Sequence, residues 1–217
     1  MQSGGSSISL YLCRKFFMKP IWFLLLITGL FSCGNEPKNL PVQAEESIAN
    51  QVKPILNQSL AEKGLSPVVS AYYALKDALI EADTLLADRS AVELLKLTDS
   101  LKIAEILTDS SLVNGIEIYR GNISAETKGL IGEKDITEKR RSFSMISQNL
   151  LPMLQEVNYS ASPVYQQICP MAFNDDEKAY WLSDSREIMN PYLGKKHPKY
   201  KAGMLHCGEL GDSIVIK

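Results

Sequence analysis

The fold is decided by residues 66–82, SPVVSAYYALKDALIEA. Apolar side chains recur in this stretch at the three-to-four-residue spacing of a single helix face. Ser66 and Pro67 provide a cap and a first helical position, so the stretch predicts an amphipathic helix. The same spacing returns at 90–106 after a short connection at 82–89. A second helix is therefore predicted, packed antiparallel to the first.

The next region, 108–135, is interrupted by four glycines. Only 116–119 and 124–131 have enough local preference to indicate helical turns there. Residues 135–157 restore a strong helical pattern with one broad apolar face, and Arg140 is predicted on the opposite face together with Arg141. Pro152 predicts a kink in this helix, because proline removes a backbone donor.

The C-terminal section, 158–217, differs in composition from the helical part. It is rich in Pro, Gly, Asn, Cys, Met and aromatic residues, and only 175–180 suggests a helical turn or two. No alternating strand pattern occurs before residue 160. We therefore predict a mainly α fold: a helical bundle of three or four helices with an irregular C-terminal cap that has room for short strands.

The first 32 residues have the composition of a signal peptide: three bases, no acid, and an apolar run at 21–31. The run is shorter than the roughly 20 residues that span a bilayer. It ends at Leu30-Phe31-Ser32-Cys33, which resembles the site at which a bacterial lipoprotein is cleaved before an acylated cysteine. We predict a lipoprotein-type signal peptide at 1–32, with Met18 as an alternative start. An ordinary signal peptide followed by an unrelated cysteine is the other interpretation.

These features divide the chain into three parts. After the leader come Cys33, the predicted lipid attachment site, and a polar, proline-containing tether that together occupy 33–64. A single helical domain is predicted at 65–217. The expected location is the periplasm, with the protein anchored to a membrane, expected to be the outer membrane, by its N-terminal lipid.

Charge and motif content restrict the classes of function. Three of the 23 basic residues lie in the leader, so about 20 oppose 25 acidic residues in the rest of the chain. This acidic excess argues against nucleic acid as a partner. The sequence has no phosphate-binding loop, no zinc-protease helix motif and no Cys-x-x-Cys pair. We therefore predict a binding protein and not an enzyme.

Two short clusters combine a thiol with a thioether: Cys169-Pro170-Met171 and Met204-Leu205-His206-Cys207. Soft sulfur ligands select soft ions, chiefly Cu(I), and thiolates also bind Zn(II). If the two clusters meet in the fold, they supply three or four donors to one ion. The candidate ligands are Cys169, Met171, Met204, His206 and Cys207.

Each of these residues also has a structural interpretation. Cys169 and Cys207 could form a disulfide closing a loop of about 38 residues, worth about 4 kcal/mol in the chain-entropy model. A disulfide-stapled helical domain that binds a protein partner and no metal is therefore a second hypothesis. Methionine commonly fills cores. Trp181 is expected in the core, with a cation–π role as the alternative, and the lysines at 195–201 indicate a solvated loop or a patch for an anionic partner.

Several ordered segments carry a family resemblance: YQQICPMA at 165–172, YWLS at 180–183, IMNPYLG at 188–194 and MLHCGE at 204–209. With 66–82 and RSFSMIS at 141–147, they resemble a domain-of-unknown-function family. That family occurs alone in lipoproteins of Gram-negative bacteria and fused to the periplasmic adaptors of CusB-type heavy-metal efflux pumps. The similarity extends over roughly 66–210.

The resemblance implies a function in heavy-metal handling. Copper, as Cu(I), is the expected cargo, and an efflux adaptor or another envelope protein is the expected partner. Cys169, Met171, Met204 and Cys207 match the positions expected to bind metal. His206 and the lysine-rich segment 195–202 depart from the family pattern.

Overall fold

A computed structural model describes residues 56–214 of the 217-residue chain. Four long helices and one single-turn helix are followed within these residues by a three-stranded antiparallel sheet. The prediction of a mainly helical protein is confirmed, and the C-terminal cap, predicted as irregular with room for short strands, contains this sheet. The predicted leader, Cys33 and the tether up to residue 55 lie outside the described part.

Helix α1 (Gln58–Glu81) begins earlier than the sequence pattern predicts. The Asn57 side chain caps it by accepting a hydrogen bond from the Leu60 amide at 3.2 Å. Ala61 and Leu65 are fully buried, so the apolar face continues upstream of Ser66. Burial of this extra length outweighs the backbone hydrogen bond lost at Pro67, which lies inside the helix and not at its start. Residues 58–64, predicted as tether, are therefore helical.

Helix α2 (Thr84–Asp99) follows after only Ala82 and Asp83, a shorter connection than predicted. Ala82 adopts a left-handed conformation with φ of 51°, and Asp83 caps α2 by accepting from the Leu86 amide at 2.9 Å. The predicted second helix is divided, because a separate turn, α3 (Ile103–Ile106), follows a break after Ser100.

Helix α4 (Ser110–Gly132) is continuous, whereas the sequence suggested only two short helical segments. Ile116, Ile123 and Leu130 are spaced by seven residues and are fully buried. Each internal glycine costs about 1 kcal/mol relative to alanine. Burial of this apolar row against α2 and the following helix outweighs that cost.

Helix α5 (Ile136–Glu156) matches its predicted range and contains Pro152. Asp135 caps it by accepting from the backbone amides of Thr137 and Glu138. One prediction for this helix is wrong: Arg140 is buried and not on a solvent face. Its guanidinium reaches the end of α1 and donates to the Leu79 carbonyl at 3.1 Å, which also accepts from the Ala82 amide.

The sheet consists of β1 (Val164–Phe173), β2 (Glu177–Ser183) and β3 (Glu209–Ile214) in the order β2-β1-β3. The segment 175–180, predicted as a helical turn, instead forms part of the β1–β2 hairpin. Asn174 and Asp175 have positive φ angles of 54° and 67°, which suits the reversal between two antiparallel strands.

The helices and the sheet share one core. The rings of Tyr72 in α1 and Phe143 in α5 stack with centroids 4.9 Å apart, and Trp181 in β2 lies edge-on to Tyr192 at 5.9 Å. The Tyr72 hydroxyl accepts a hydrogen bond from the Leu182 amide at 3.0 Å, which ties α1 to β2. No helix within residues 56–214 is long and apolar enough to cross a membrane.

Candidate functional site

Cys169 lies in β1, the central strand of the sheet. It pairs in register with Ala179 of β2, two positions from the pair of Gln167 with Trp181. Side chains alternate between the two faces of a strand, so Gln167 and Cys169 share a face. All four residues are buried. The thiol of Cys169 therefore points into the protein.

A bulge follows Cys169 directly. Three residues of β1, 170–172, lie opposite the single residue Lys178 of β2. Pro170 has no amide proton and cannot continue the ladder, and bulges redirect the side chains beside them. The backbone amide of Met171 lies close enough to the Cys169 sulfur to lower the pKa of that thiol. The Cys-Pro-Met segment is thus the start of a bulge within β1, with the Cys169 thiol beside it.

The second sulfur-bearing segment forms the turn that leads into β3. The Cys207 amide donates to the Met204 carbonyl at 3.0 Å, and Met204 packs partly buried against the core. Gly208 then approaches β1 closely. A Cβ at this position would lie 2.9 Å from the Ile168 carbonyl oxygen and 2.9 Å from Cη2 of Trp181. Only glycine allows the turn to lie this close to the sheet.

The two segments meet at their thiols. Cys169 and Cys207 are both free cysteines, and their thiols lie close enough for Cys207 to influence the pKa of Cys169. Burial raises the pKa of the Cys169 thiol, and hydrogen bonds from Asn190 and Met171 oppose that increase. Cys169 is fully buried whereas Cys207 is partly exposed, so the pair is reached from solvent through Cys207.

Asn190 connects the segments that carry Cys169 and Cys207. Its Oδ1 accepts from the backbone amides of Tyr192 and Leu193 at 2.8 and 3.0 Å, and its Nδ2 donates to the Cys207 carbonyl at 2.6 Å. The residue is fully buried. Its role in joining both cysteines was not predicted, because its Asn-Pro context indicates only turn chemistry.

The other predicted ligands are placed differently. Met171 is partly buried beside Cys169, whereas His206 is exposed with its Nδ1 2.9 Å from the Ile188 carbonyl oxygen. No group of three or more His, Cys, Asp or Glu side chains within residues 56–214 is arranged to hold a metal ion. An ion at this position would therefore depend on two thiolates supplemented by thioether sulfur.

The remaining sequence candidates have structural contacts. Trp181 is fully buried in the core, and its Nε1 has no hydrogen-bond partner within the described residues. Lys195 forms an ion pair with Glu81, and Lys199 forms one with Asp175. These pairs tie the lysine-rich segment to the end of α1 and to the β1–β2 hairpin.

Gly208→Ala is expected to lower the free energy of unfolding by about 1–3 kcal/mol, because the new methyl group overlaps backbone and indole atoms. The change should also expose Cys207 to thiol reagents. Gly121→Ala is the matched control: its Cβ would meet nothing within 4 Å, and alanine in a helix should stabilise by about 1 kcal/mol. Urea denaturation measures both changes, and equal effects of the same sign would contradict the close approach at Gly208.

Comparisons with known proteins identify the helical part of the chain. No curated protein and no solved structure matches the sequence. A family model described as "Protein of unknown function (DUF3347)" matches residues 68–162, which extend from α1 to just before β1. The match ends before both sulfur clusters. The predicted resemblance to a domain-of-unknown-function family is thereby confirmed for residues 68–162, which match the model of the DUF3347 family, a domain of unknown function.

Proposed function

We propose that this protein is an envelope lipoprotein that captures copper as Cu(I), buffers it and passes it to an efflux system. Cys169 and Cys207 bind the ion as thiolates, and Met171 and Met204 supply thioether sulfur. The helical bundle of α1, α2, α4 and α5 serves as the platform, and a lipid on Cys33 holds the protein at the outer membrane facing the periplasm. The protein acts by binding and not by catalysis.

The observation that carries the proposal is the contact between two free thiols 38 positions apart in the sequence. Two thiolates with thioether sulfur form a soft donor set, which favours Cu(I) over harder ions. Asn190 and Gly208 hold the two segments together before any ion binds. Such preorganisation lowers the ordering cost of binding.

Copper affinity is expected to depend steeply on pH. Both thiols must lose their protons to bind, and the pKa of Cys169 lies above its ordinary value because of burial. Below about pH 8.5, each pH unit should therefore change the apparent affinity about 10-fold to 100-fold, with tighter binding at higher pH. Competition with a Cu(I) chelator between pH 6 and 8 measures this slope. A flat profile would contradict thiolate binding.

The direct test is copper content under anaerobic reducing conditions. The full chain is purified in detergent with Cys13 and Cys33 replaced by serine, so only the proposed pair remains. One copper per chain is expected, and Cys207→Ser should weaken binding by more than about 100-fold, because loss of even an outer-sphere partner costs about 10–100-fold. Met171→Leu and Met204→Leu should weaken it less. Met145→Leu, at an exposed methionine on α5, should leave it unchanged.

The same contact supports a second candidate, a disulfide-stapled domain that binds a protein partner and no metal. The neighbouring thiols could be oxidised in a periplasmic environment. Thiol titration of the freshly purified protein with Cys13 and Cys33 replaced by serine, under denaturing, non-reducing conditions, separates the two hypotheses. Two free thiols favour copper binding. Their absence, together with equal copper content in wild type and Cys207→Ser, would favour the staple.

A further inference from the structure

Arg140 is a buried cation that forms no ion pair within residues 56–214. Its side chain is 3% exposed, and one hydrogen bond is formed, from Nη2 to the Leu79 carbonyl. Nε has no partner, and Arg140 forms no ion pair with any carboxylate of residues 56–214. Burying a charge without a paired counter-charge is costly. Arg140 is therefore an unusual residue to find in a core.

Asp135 is the acidic group that attracts Arg140 electrostatically, but it is engaged elsewhere. Its Oδ1 accepts from the amides of Thr137 and Glu138 at 2.7 and 3.2 Å and so caps α5. Burial lowers the pKa of Arg140 to about 10, which leaves the guanidinium charged at neutral pH. A positive charge whose Nε has no hydrogen-bond partner within residues 56–214 is thus buried on α5.

Arg140 lines a cavity of about 210 Å³ between the start of α5 and the 194–198 segment. Lys196 adds a second positive charge, and Thr137 and His197 add polar groups. The pKa of His197 is lowered by burial and then by Arg140, so its ring is neutral at pH 7. Phe173 and Tyr192, whose ring centroids lie 5.5 Å apart, form an apolar wall. The cavity is smaller than the roughly 300–1,000 Å³ of typical ligand pockets.

We propose that this cavity binds a small organic carboxylate. The guanidinium of Arg140 pairs with the carboxylate, because its planar array of donors matches two carboxylate oxygens. Lys196 adds attraction from the rim, and the aromatic wall accommodates a short apolar body. This site is separate from the cysteine pair and does not depend on copper binding.

The test is calorimetric titration of the full chain with benzoate, with benzyl alcohol as the uncharged ligand of similar shape. Benzoate should bind with a Kd of about 1 mM or tighter, and benzyl alcohol should bind at least about tenfold more weakly. No detectable benzoate binding, or equal binding of the two ligands, would overturn the proposal. Sulfate binding as tight as benzoate would overturn the assignment to an organic carboxylate.

Three variants probe the site without removing Arg140, whose loss could unfold the protein. Lys196→Gln should weaken benzoate binding about twofold to fivefold, the range for a partly exposed charge pair. Asp135→Ser keeps a capping side chain but removes a negative charge beside the cavity, so it should strengthen binding by a similar factor. Lys63→Gln, at an exposed position on α1 that lines a different cavity, should have no effect. Identical affinities in all three variants would contradict the site.

Discussion

Asn190→Ala is expected to lower the free energy of unfolding by about 3–5 kcal/mol. The substitution leaves the buried amides of Tyr192 and Leu193 without their acceptor and the Cys207 carbonyl without its donor. Each buried polar group left unpaired costs about 1–3 kcal/mol. A loss of this size is a large fraction of the 5–15 kcal/mol by which folded domains are typically stable. Urea denaturation of the variant measures it.

Asn149→Ala is the matched control for this loss. Asn149 also uses its amide group, with Nδ2 donating to the Met145 carbonyl at 2.8 Å, but it lies on the partly exposed side of α5 where water can replace the contact. A change within about 0.5 kcal/mol is expected there. Asn190→Ala should also speed the reaction of Cys207 with thiol reagents, because its turn loses an anchor. Equal stability changes in the two variants would show that Asn190 is not the connection proposed here.

The helical part was largely predictable because its apolar residues have a clear period. The deviations occur where tertiary packing overrides local preference. Pro67 indicates a helix start, but the buried Ala61 and Leu65 extend α1 beyond it. The glycines of α4 suggested a broken segment, yet the buried row that includes Ile123 keeps the helix continuous.

Arg140 shows a different limit of sequence interpretation. Two adjacent arginines in a helical sequence predict a solvent-exposed face. Arg141 is indeed partly exposed. Arg140 is buried because the end of α1 offers it a carbonyl and Gly194 makes room for it. A Cβ at Gly194 would lie 2.7 Å from Nη2 of Arg140, and the φ angle there is +57°. Gly194 lies 54 positions from Arg140, so no local pattern could reveal the contact.

The candidate site was predictable in its residue types but not in its geometry. The Cys-Pro-Met segment and Cys207 are recognisable as sulfur clusters. Their meeting depends on the antiparallel pairing of β3 with β1, which places Glu209 opposite Ile168 and brings Cys207 beside Cys169. Strand pairing over 40 residues is set by the fold as a whole, and composition does not encode it.

Stability is expected to fall steeply above about pH 10, because three tyrosines with buried hydroxyl groups ionise when the protein unfolds. Burial raises the pKa of Tyr72, Tyr73 and Tyr192 above the ordinary value of about 10. The folded state therefore keeps protons that the unfolded chain loses. Each such tyrosine should contribute its full stability below about pH 10 and lose about 1.4 kcal/mol per pH unit above it. Urea denaturation between pH 8 and 12 measures the slope.

Arg140 also contributes to the dependence of stability on pH, in the opposite direction to the tyrosines. Its pKa is lowered to about 10, so above that pH the folded state releases a proton that the unfolded chain retains, and stability rises with pH. The combined loss should therefore be about 3 kcal/mol per pH unit, smaller than three tyrosines alone would give.

Tyr73→Phe isolates one tyrosine, since its buried hydroxyl has no hydrogen-bond partner within residues 56–214 and its removal breaks no hydrogen bond there. The variant should be at least as stable as wild type at pH 8 and should lose stability by about 1.4 kcal/mol less per unit above pH 10. Parallel pH profiles for wild type and variant would mean that Tyr73 ionises freely in the folded protein.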